Sequence, residues 1–332
     1  MKELKDIGCD LRYIPISQNS PDENLIKDLE PVLSRQDFHH NSPCLKIWHQ
    51  HGLFPSYGKG PFFGFPIFEL DEFNETEKFS LNYPDHLIVC SQWAKEIVNK
   101  NNTHVVPLGY NDAVFKPTSM PSMDLTVFGN FGKFELRKGH DILADAFHKA
   151  FQNDKDVLLV MMPHNFFLDQ KETNEWTSKY LPLLDGKIQF VPRLKTQDMV
   201  YNIIGQIHCG VFPSRAEGWN LEALETLACG KHLIITNCTG HTEFCNSDNS
   251  LLIEMNSGKE IAFDNKFFKS GVGRWNSFGD DEFDQLVEHL RFIHKKRKEG
   301  SLAVNTAGIE TSLEFTWAKS SQKLFNVIKE NS

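Results

Sequence analysis

Glu217 and Glu225 lie in the stretch "VFPSRAEGWNLEALETLACGKHLIITNCTG", residues 211–240, with seven residues between them. The first falls in a glycine-containing loop and the second on a helical pattern that begins near Trp219 or Asn220. Leu221, Leu224, Glu225 and Ala228 share one helix face, so Glu225 rides on the apolar stripe. A carboxylate there needs a polar partner or the rim of a crevice. Amides from Gly218 through Trp219 and Asn220 to Leu221 lie at the positive end of that helix, where a phosphate binds well. Amides for a phosphate, Glu225 for a ribose-like diol and Glu217 for a sugar make the set a nucleotide sugar asks for. Two glutamates alone fit equally a loop carboxylate and an amphipathic-edge residue.

The elements that must position these groups alternate. "CLKIWH" (44–49), "HLIVCS" (86–91) and "THVVPLG" (103–109) read as buried strands, with Ser91 capping the helix between the last two. "DLRYIPISQNS" (10–20) reads as an earlier strand and loop. "DLTVFGNF", "DVLLVMMP", "KIQFVP", "HCGVFPS", "KHLIITN" and "SLLIEM" form a second strand series, interleaved with "GHDILADAFHKAFQN", "TQDMVYNIIGQ" and "NLEALETLAC" as helices. Strand–helix alternation predicts parallel sheets, here two doubly wound α/β domains. The boundary reads as near 110–122, within the polar, proline-bearing stretch "GYNDAVFKPTSMPSMD", and 314–330 reads as a closing helix.

The 332 residues, 40% hydrophobic and 24% charged, suit two globular domains. The polar start, the lack of a spanning apolar run and seven scattered cysteines predict reduced thiols and a cytoplasmic protein. Net charge is −9, and residues 1–112 hold 10 Lys+Arg against 16 Asp+Glu. That disfavours nucleic acid and anionic membranes as partners, although a local patch could oppose the net. "HKKRK" (294–298) reads as the solvated end of a helix, and "FELDEF" (68–73) as a solvated turn.

"PSRAEGWNLEALETLACGKHLI" resembles the C-terminal signature of retaining GT-B glycosyltransferases, in particular glycosyltransferase family 4 (glycosyl transferases group 1). "GKFELRKGHDILADAF" is similar to the family's G-R-L-x-x-x-K-G-x-D-x-L-I-x-A-F, with Lys133 at the arginine position and Lys138 matching directly. Arg137 could contribute there instead. The blocks at 86–117, 188–204 and 315–325 also resemble family patterns, whereas the first 85 residues match poorly. The resemblance implies a GT-B fold of two Rossmann-like domains facing a central cleft. It places an acceptor-side domain at 1–115, a nucleotide-sugar domain at 122–312, and a helix at 313–332 returning to the first domain.

It implies that Lys133, Lys138 and the amides of Gly218, Trp219, Asn220 and Leu221 hold the donor diphosphate. Glu225 takes the ribose, Glu217 acts on the sugar, and Arg193 lies near the base or diphosphate. In "IWHQHG", His49 or His51 is the counterpart of a histidine facing the donor sugar; metal binding and plain surface histidines stay open for the pair. The activity implied is retaining transfer of a hexose-type sugar from a UDP-, GDP- or similar nucleotide sugar. The acceptor is a glycan, lipid-linked or other hydroxyl, and neither cofactor nor catalytic metal is required. Relatives often build lipid-linked or envelope glycans, which leaves peripheral membrane contact open. The competing readings are a glycosyltransferase for modified DNA bases, an epimerase of the same fold, and a non-catalytic binder of sugar nucleotides.

Overall fold

The computed structural model describes residues 1–14, 23–35, 37–122, 124–180, 186–264 and 266–332. The chain divides into two compact units. One comprises Met1–Phe68, Glu75–Asn111 and Phe315–Ser332; the other comprises Glu69–Asn74 and Asp112–Glu314.

The first unit holds helices α1 (Lys2–Asp6), α2 (Glu23–Leu33), α3 (Glu75–Asn82) and α4 (Gln92–Val98). Its sheet is wholly parallel, in the order β1 (Cys44–His49), β2 (Phe62–Ile67), β3 (His86–Val89), β4 (Thr103–Val105). Ser91 caps α4 as the sequence predicts, accepting from the Ala94 amide at 3.1 Å. The early strand expected from "DLRYIPISQNS" is not found over residues 10–14, and the rest of that segment lies outside the described residues.

The strand β2 has no counterpart in the sequence reading. "FFGFPI" carries a glycine and a proline, which ordinarily argue against a central strand. Gly64 is explained by packing: a Cβ there would come within 2.5 Å of the Pro84 ring and 3.0 Å of Leu53. The closing helix belongs to this unit. Tyr110 N donates to Phe315 O and Trp317 N donates to Tyr110 O, bonding the exit of β4 to the segment that starts the helix. Gly109 is required there, because a Cβ would lie 2.3 Å from the Thr316 carbonyl carbon.

The second unit contains β5 (Thr126–Phe131), α5 (His140–Phe151), β6 (Val157–Met162), α6 (Gln170–Ser178), β7 (Ile188–Phe190), α7 (Gln197–Gly205), β8 (Cys209–Phe212), α8 (Leu221–Ala228), β9 (His232–Thr236), β10 (Leu251–Ile253), a short antiparallel pair β11 (Lys259–Ile261) and β12 (Arg274–Asn276), α9 (Asp280–Lys298) and α10 (Thr306–Ser312). The closing helix, α11, spans Trp317–Glu330.

The large sheet of the second unit is parallel, in the order β10-β9-β8-β5-β6-β7. The chain therefore starts at the centre, builds outward one way, and returns to build the other way. The reversal falls between β5 and β8, and in such sheets the crevice at the carboxyl ends of these two strands is where ligands bind. Both strands are buried along their whole length, as a sheet covered on both faces requires.

Two boundaries differ from the sequence reading. Part of the stretch taken as linker packs on the second unit: Phe115 is buried, Thr118 N donates to Cys229 O, and buried Lys231 donates to Ser119 O and Gly205 O. The division therefore falls at Asn111, inside the expected 110–122 but short of residue 115, the expected end of the first domain. "FELDEF" is not simply a solvated turn either. Asp71 is buried, with Lys259 at 3.0 Å, Arg274 at 3.1 Å and the Arg274 amide at 2.8 Å on its carboxylate, all within the second unit.

Candidate active site

Two loops leave the switch point. The first, 132–139, runs from β5 to α5; the second, 213–220, runs from β8 to α8. Gly139 lets them touch. Its φ is +70°, and a Cβ would sit 2.0 Å from the Pro213 carbonyl oxygen. Backbone and side chains then interlock: Arg215 N donates to Arg137 O, Arg137 Nη1 to Ala216 O, and Arg215 Nη1 to Leu136 O. Arg215 also grips Asp141 with two bonds, at 2.9 and 2.8 Å.

Glu217 is held at the centre of this junction. Lys138 Nζ donates to Oε1 at 2.9 Å, Ser214 Oγ donates to the same oxygen at 3.0 Å, and Arg137 Nη1 donates to Oε2 at 2.7 Å. Arg137 continues to Glu135 at 2.8 Å, Glu135 to Lys133 at 2.9 Å, and Lys138 lies 3.8 Å from Glu222. The chain of pairs holds three cations and three carboxylates, so it is neutral. Glu135, Arg137, Lys138 and Glu217 are buried. Burial alone would push the Glu217 carboxyl up, but Arg137 and Lys138 win and hold it well below the usual carboxylate range. The same contest, won by the carboxylates, raises Lys138 and Arg137.

Glu225 sits in the opposite situation. It is half-buried on α8, and among the described residues no hydrogen bond to its carboxyl is found. Burial, and secondarily the nearby Glu222 carboxylate, push its pKa up to about 8. One glutamate of the pair is saturated by cations and the other is open.

Asn220 begins α8, with φ +79° and its Oδ1 accepting from Ala223 N at 3.1 Å. Asn220 thus has a left-handed backbone, which asparagine tolerates better than most residues. Asn220→Ala loses the cap and strains the backbone, and should lower stability by about 2–3 kcal/mol. Asn220→Gly should cost only a few tenths. Urea unfolding of the two variants tests this; equal losses would mean that the left-handed backbone carries no cost. The Trp219 side chain turns inward onto Phe244, with centroids 5.1 Å apart, so only its backbone is available to a ligand.

The remaining expected residues are not gathered on Glu217. Lys133 reaches it only through Glu135 and Arg137, and lies over the Phe167 and Phe267 rings at 5.7 and 5.6 Å. Arg193 is exposed beyond β7, stacked on exposed Phe166 at 4.3 Å. His49 and His51 belong to the first unit. They were expected on one strand face, but β1 ends at His49 and His51 lies in the following turn. Both are exposed and their rings stack with centroids 5.7 Å apart.

Glu135, Ser214, Asp141 and Arg215 were missed by sequence reasoning. So was the pair of His140 and Asn130. Asn130 Oδ1 accepts from His140 Nε2 at 2.9 Å, Asn130 Nδ2 donates to Val211 O, and Glu135 N donates to His140 Nδ1. Burial lowers the His140 pKa to about 4, so the ring is neutral. A polar Asn130 inside the apolar strand "TVFGNF" was the available signal.

Residues 125–264, which contain this whole charge network, match the family described as Glycosyl transferases group 1. Residues 125–264 thus carry a glycosyl transferases group 1 domain. No curated protein matches the chain. Its fold is that of GT-B glycosyltransferases, by likeness to solved structures. HepE of Anabaena, solved with UDP and glucose, is 16% identical with a TM-score of 0.63, over 81% of this chain and 72% of that one. Sucrose-phosphate synthase of Thermosynechococcus elongatus is 16% identical with a TM-score of 0.61, over 82% and 68%. The lipopolysaccharide outer core galactosyltransferase WaaB is 16% identical with a TM-score of 0.59, over 83% and 70%. At these identities the likeness carries the fold alone. Among the described residues no helix is long and apolar enough to cross a membrane.

Proposed function

We propose that the chain transfers a hexose-type sugar from a nucleoside-diphosphate sugar to a hydroxyl of a glycan or lipid-linked acceptor, with retention and without a catalytic metal. The observation that carries this is the pair of contrasting glutamates at the switch point, one saturated by two cations and one open. The second unit takes the donor. Glu225 accepts from the ribose hydroxyls, and the amides of Gly218–Leu221 with Lys138 take the diphosphate. A diphosphate that draws Lys138 toward itself frees one oxygen of Glu217 for a sugar hydroxyl. Arg137 holds the other oxygen and keeps the carboxylate oriented.

Fixed positive charge then stabilises the departing diphosphate, the task a divalent cation performs elsewhere. Retention follows if the acceptor attacks on the face the diphosphate leaves, with a leaving-group oxygen taking its proton. Arg193 on Phe166 lies beyond β7, along the same sheet edge, and would meet the base or diphosphate. HepE, whose structure was also solved with UDP-glucose, supports the donor class.

The test is a melting-temperature panel of nucleotide sugars in EDTA and again with Mg²⁺, followed by NMR of the product. One donor should raise Tm by mass action in EDTA, the shift should vanish in Glu225→Ala, and the product should keep the donor's anomeric configuration. A shift that needs Mg²⁺, or an inverted product, overturns the reading. Donor binding without turnover on any acceptor would favour a non-catalytic binder.

A further inference from the structure

The run "HKKRK" ends α9 as the sequence suggests, but its histidine is not solvated. His294, in the last turns of α9, is 7% exposed, and its Nε2 has no hydrogen-bond partner. That nitrogen points between two carboxylates, 3.7 Å from Asp154 Oδ1 and 3.7 Å from Asp156 Oδ1. The three atoms all lie within 4.8 Å of one another. We propose that Asp154, Asp156 and His294 form a binding site for a divalent transition-metal ion, zinc by preference, which staples α9 to the segment entering β6.

The donor set is one imidazole nitrogen and two carboxylate oxygens, which suits Zn²⁺ better than Mg²⁺ or Ca²⁺. Tetrahedral zinc holds its ligand atoms roughly 3.4 Å apart, so the two N···O spacings must contract by a few tenths of an ångström and the O···O spacing, within 4.8 Å, by up to about 1.4 Å. The aspartate side chains are 38% and 33% exposed; Asp154 can make that move freely, whereas Asp156 must pivot about the Oδ2 that Arg297 and Lys298 hold. The exposure of the two aspartates also gives the ion a route in and a water for the fourth position.

The supporting contacts of a metal site are already in place. A ligating histidine fixes its tautomer by donating from its other nitrogen, and a ligating carboxylate is itself hydrogen-bonded. Here His294 Nδ1 lies 2.7 Å from Thr126 Oγ1, so donation there leaves Nε2 bare. Arg297 Nε donates to the same hydroxyl oxygen at 2.8 Å. Arg297 and Lys298 occupy only the outer oxygen of Asp156, Oδ2, at 2.8 and 3.5 Å. Oδ1 remains turned to the imidazole. The two cations weaken the site without blocking it.

Thr126 opens β5 and Phe131 closes it, so the cluster lies about 17 Å from the switch point, at the opposite end of the strand. The ion would have no part in glycosyl transfer, and its presence leaves the metal-free reading of the reaction untouched.

Zn²⁺ titrated into EDTA-treated, desalted protein should bind one ion per chain by calorimetry and raise Tm with free Zn²⁺. Co²⁺ should give the visible absorption of an N/O site. Asp154→Asn, on an exposed side chain, should still fold and should weaken binding by at least tenfold. Thr126→Val should weaken it roughly 10–100-fold. His294→Ala should abolish the Co²⁺ spectrum, whereas His49→Ala/His51→Ala should leave it intact. A flat isotherm, or Zn²⁺ binding that survives both Asp154→Asn and His294→Ala, overturns the proposal. The first outcome would leave His294 as a partner of its carboxylates only when protonated.

Discussion

Glu217→Ala should lower the free energy of unfolding by about 3–5 kcal/mol, because it strands buried cations instead of removing a pair. Arg137 keeps Glu135 and the Ala216 carbonyl, but Lys138 keeps only Glu222 at 3.8 Å among its carboxylates. Against a typical stability of roughly 5–15 kcal/mol this is a large share. Glu217→Gln keeps the shape and an accepting oxygen and should cost less. The diagnostic is rescue: Lys138→Met in the Glu217→Ala background should recover stability, because an uncompensated charge costs more than an apolar replacement. The pH dependence has a definite sign. The folded carboxyl is depressed below its ordinary 4.5, so its contribution is complete above that pH and fades only as pH falls well below it. Urea unfolding of the four proteins decides the matter. A loss under about 1 kcal/mol, the range of exposed pairs, would mean that water screens the network.

Donor affinity should rise with pH up to about 8 and then level off. The Glu225 carboxyl has its pKa at about 8 in the free protein. In the proposed complex two ribose hydroxyls donate to it, and donors favour the ionised form. Binding therefore lowers its pKa, and each pH unit between the bound and free values tightens binding by about tenfold. A rise of up to about 50-fold from pH 6 to pH 8 follows if the bound value lies well below 6. Calorimetry with an intact nucleotide sugar, whose diphosphate diester does not titrate in this window, isolates the effect. Glu225→Gln should bind more weakly at pH 8 and show a flat profile. Affinity that is flat or falling in the unaltered protein would remove Glu225 from the ribose.

Much of the second unit was legible because its strands are short apolar runs bounded by turns and its helices carry 3.6-residue patterns. That alternation announced a parallel sheet, but the order of its strands, and with it the meeting of loops 132–139 and 213–220, is set by pairings distant in sequence. What stayed hidden depended on partners distant in sequence. Glu135 reads as a loop charge until Arg137 turns toward it. The strand β2 was hidden by Gly64 and Pro66; at Gly64 close packing against Pro84 and Leu53 reverses the glycine's usual meaning. "HKKRK" looks uniformly basic, yet helical geometry sends His294 inward while Lys295 stays exposed.

The first unit is assembled from three separate stretches, and the last of them is 315–332. The second unit needs nothing beyond Glu314. As the chain leaves the ribosome, the unit carrying Glu217 and Glu225 can reach its final fold while the one that precedes it still lacks α11. Synthesis order and maturation order are thus reversed, and the bonds of Tyr110 to Phe315 and Trp317 can form only once residues 315–317 emerge.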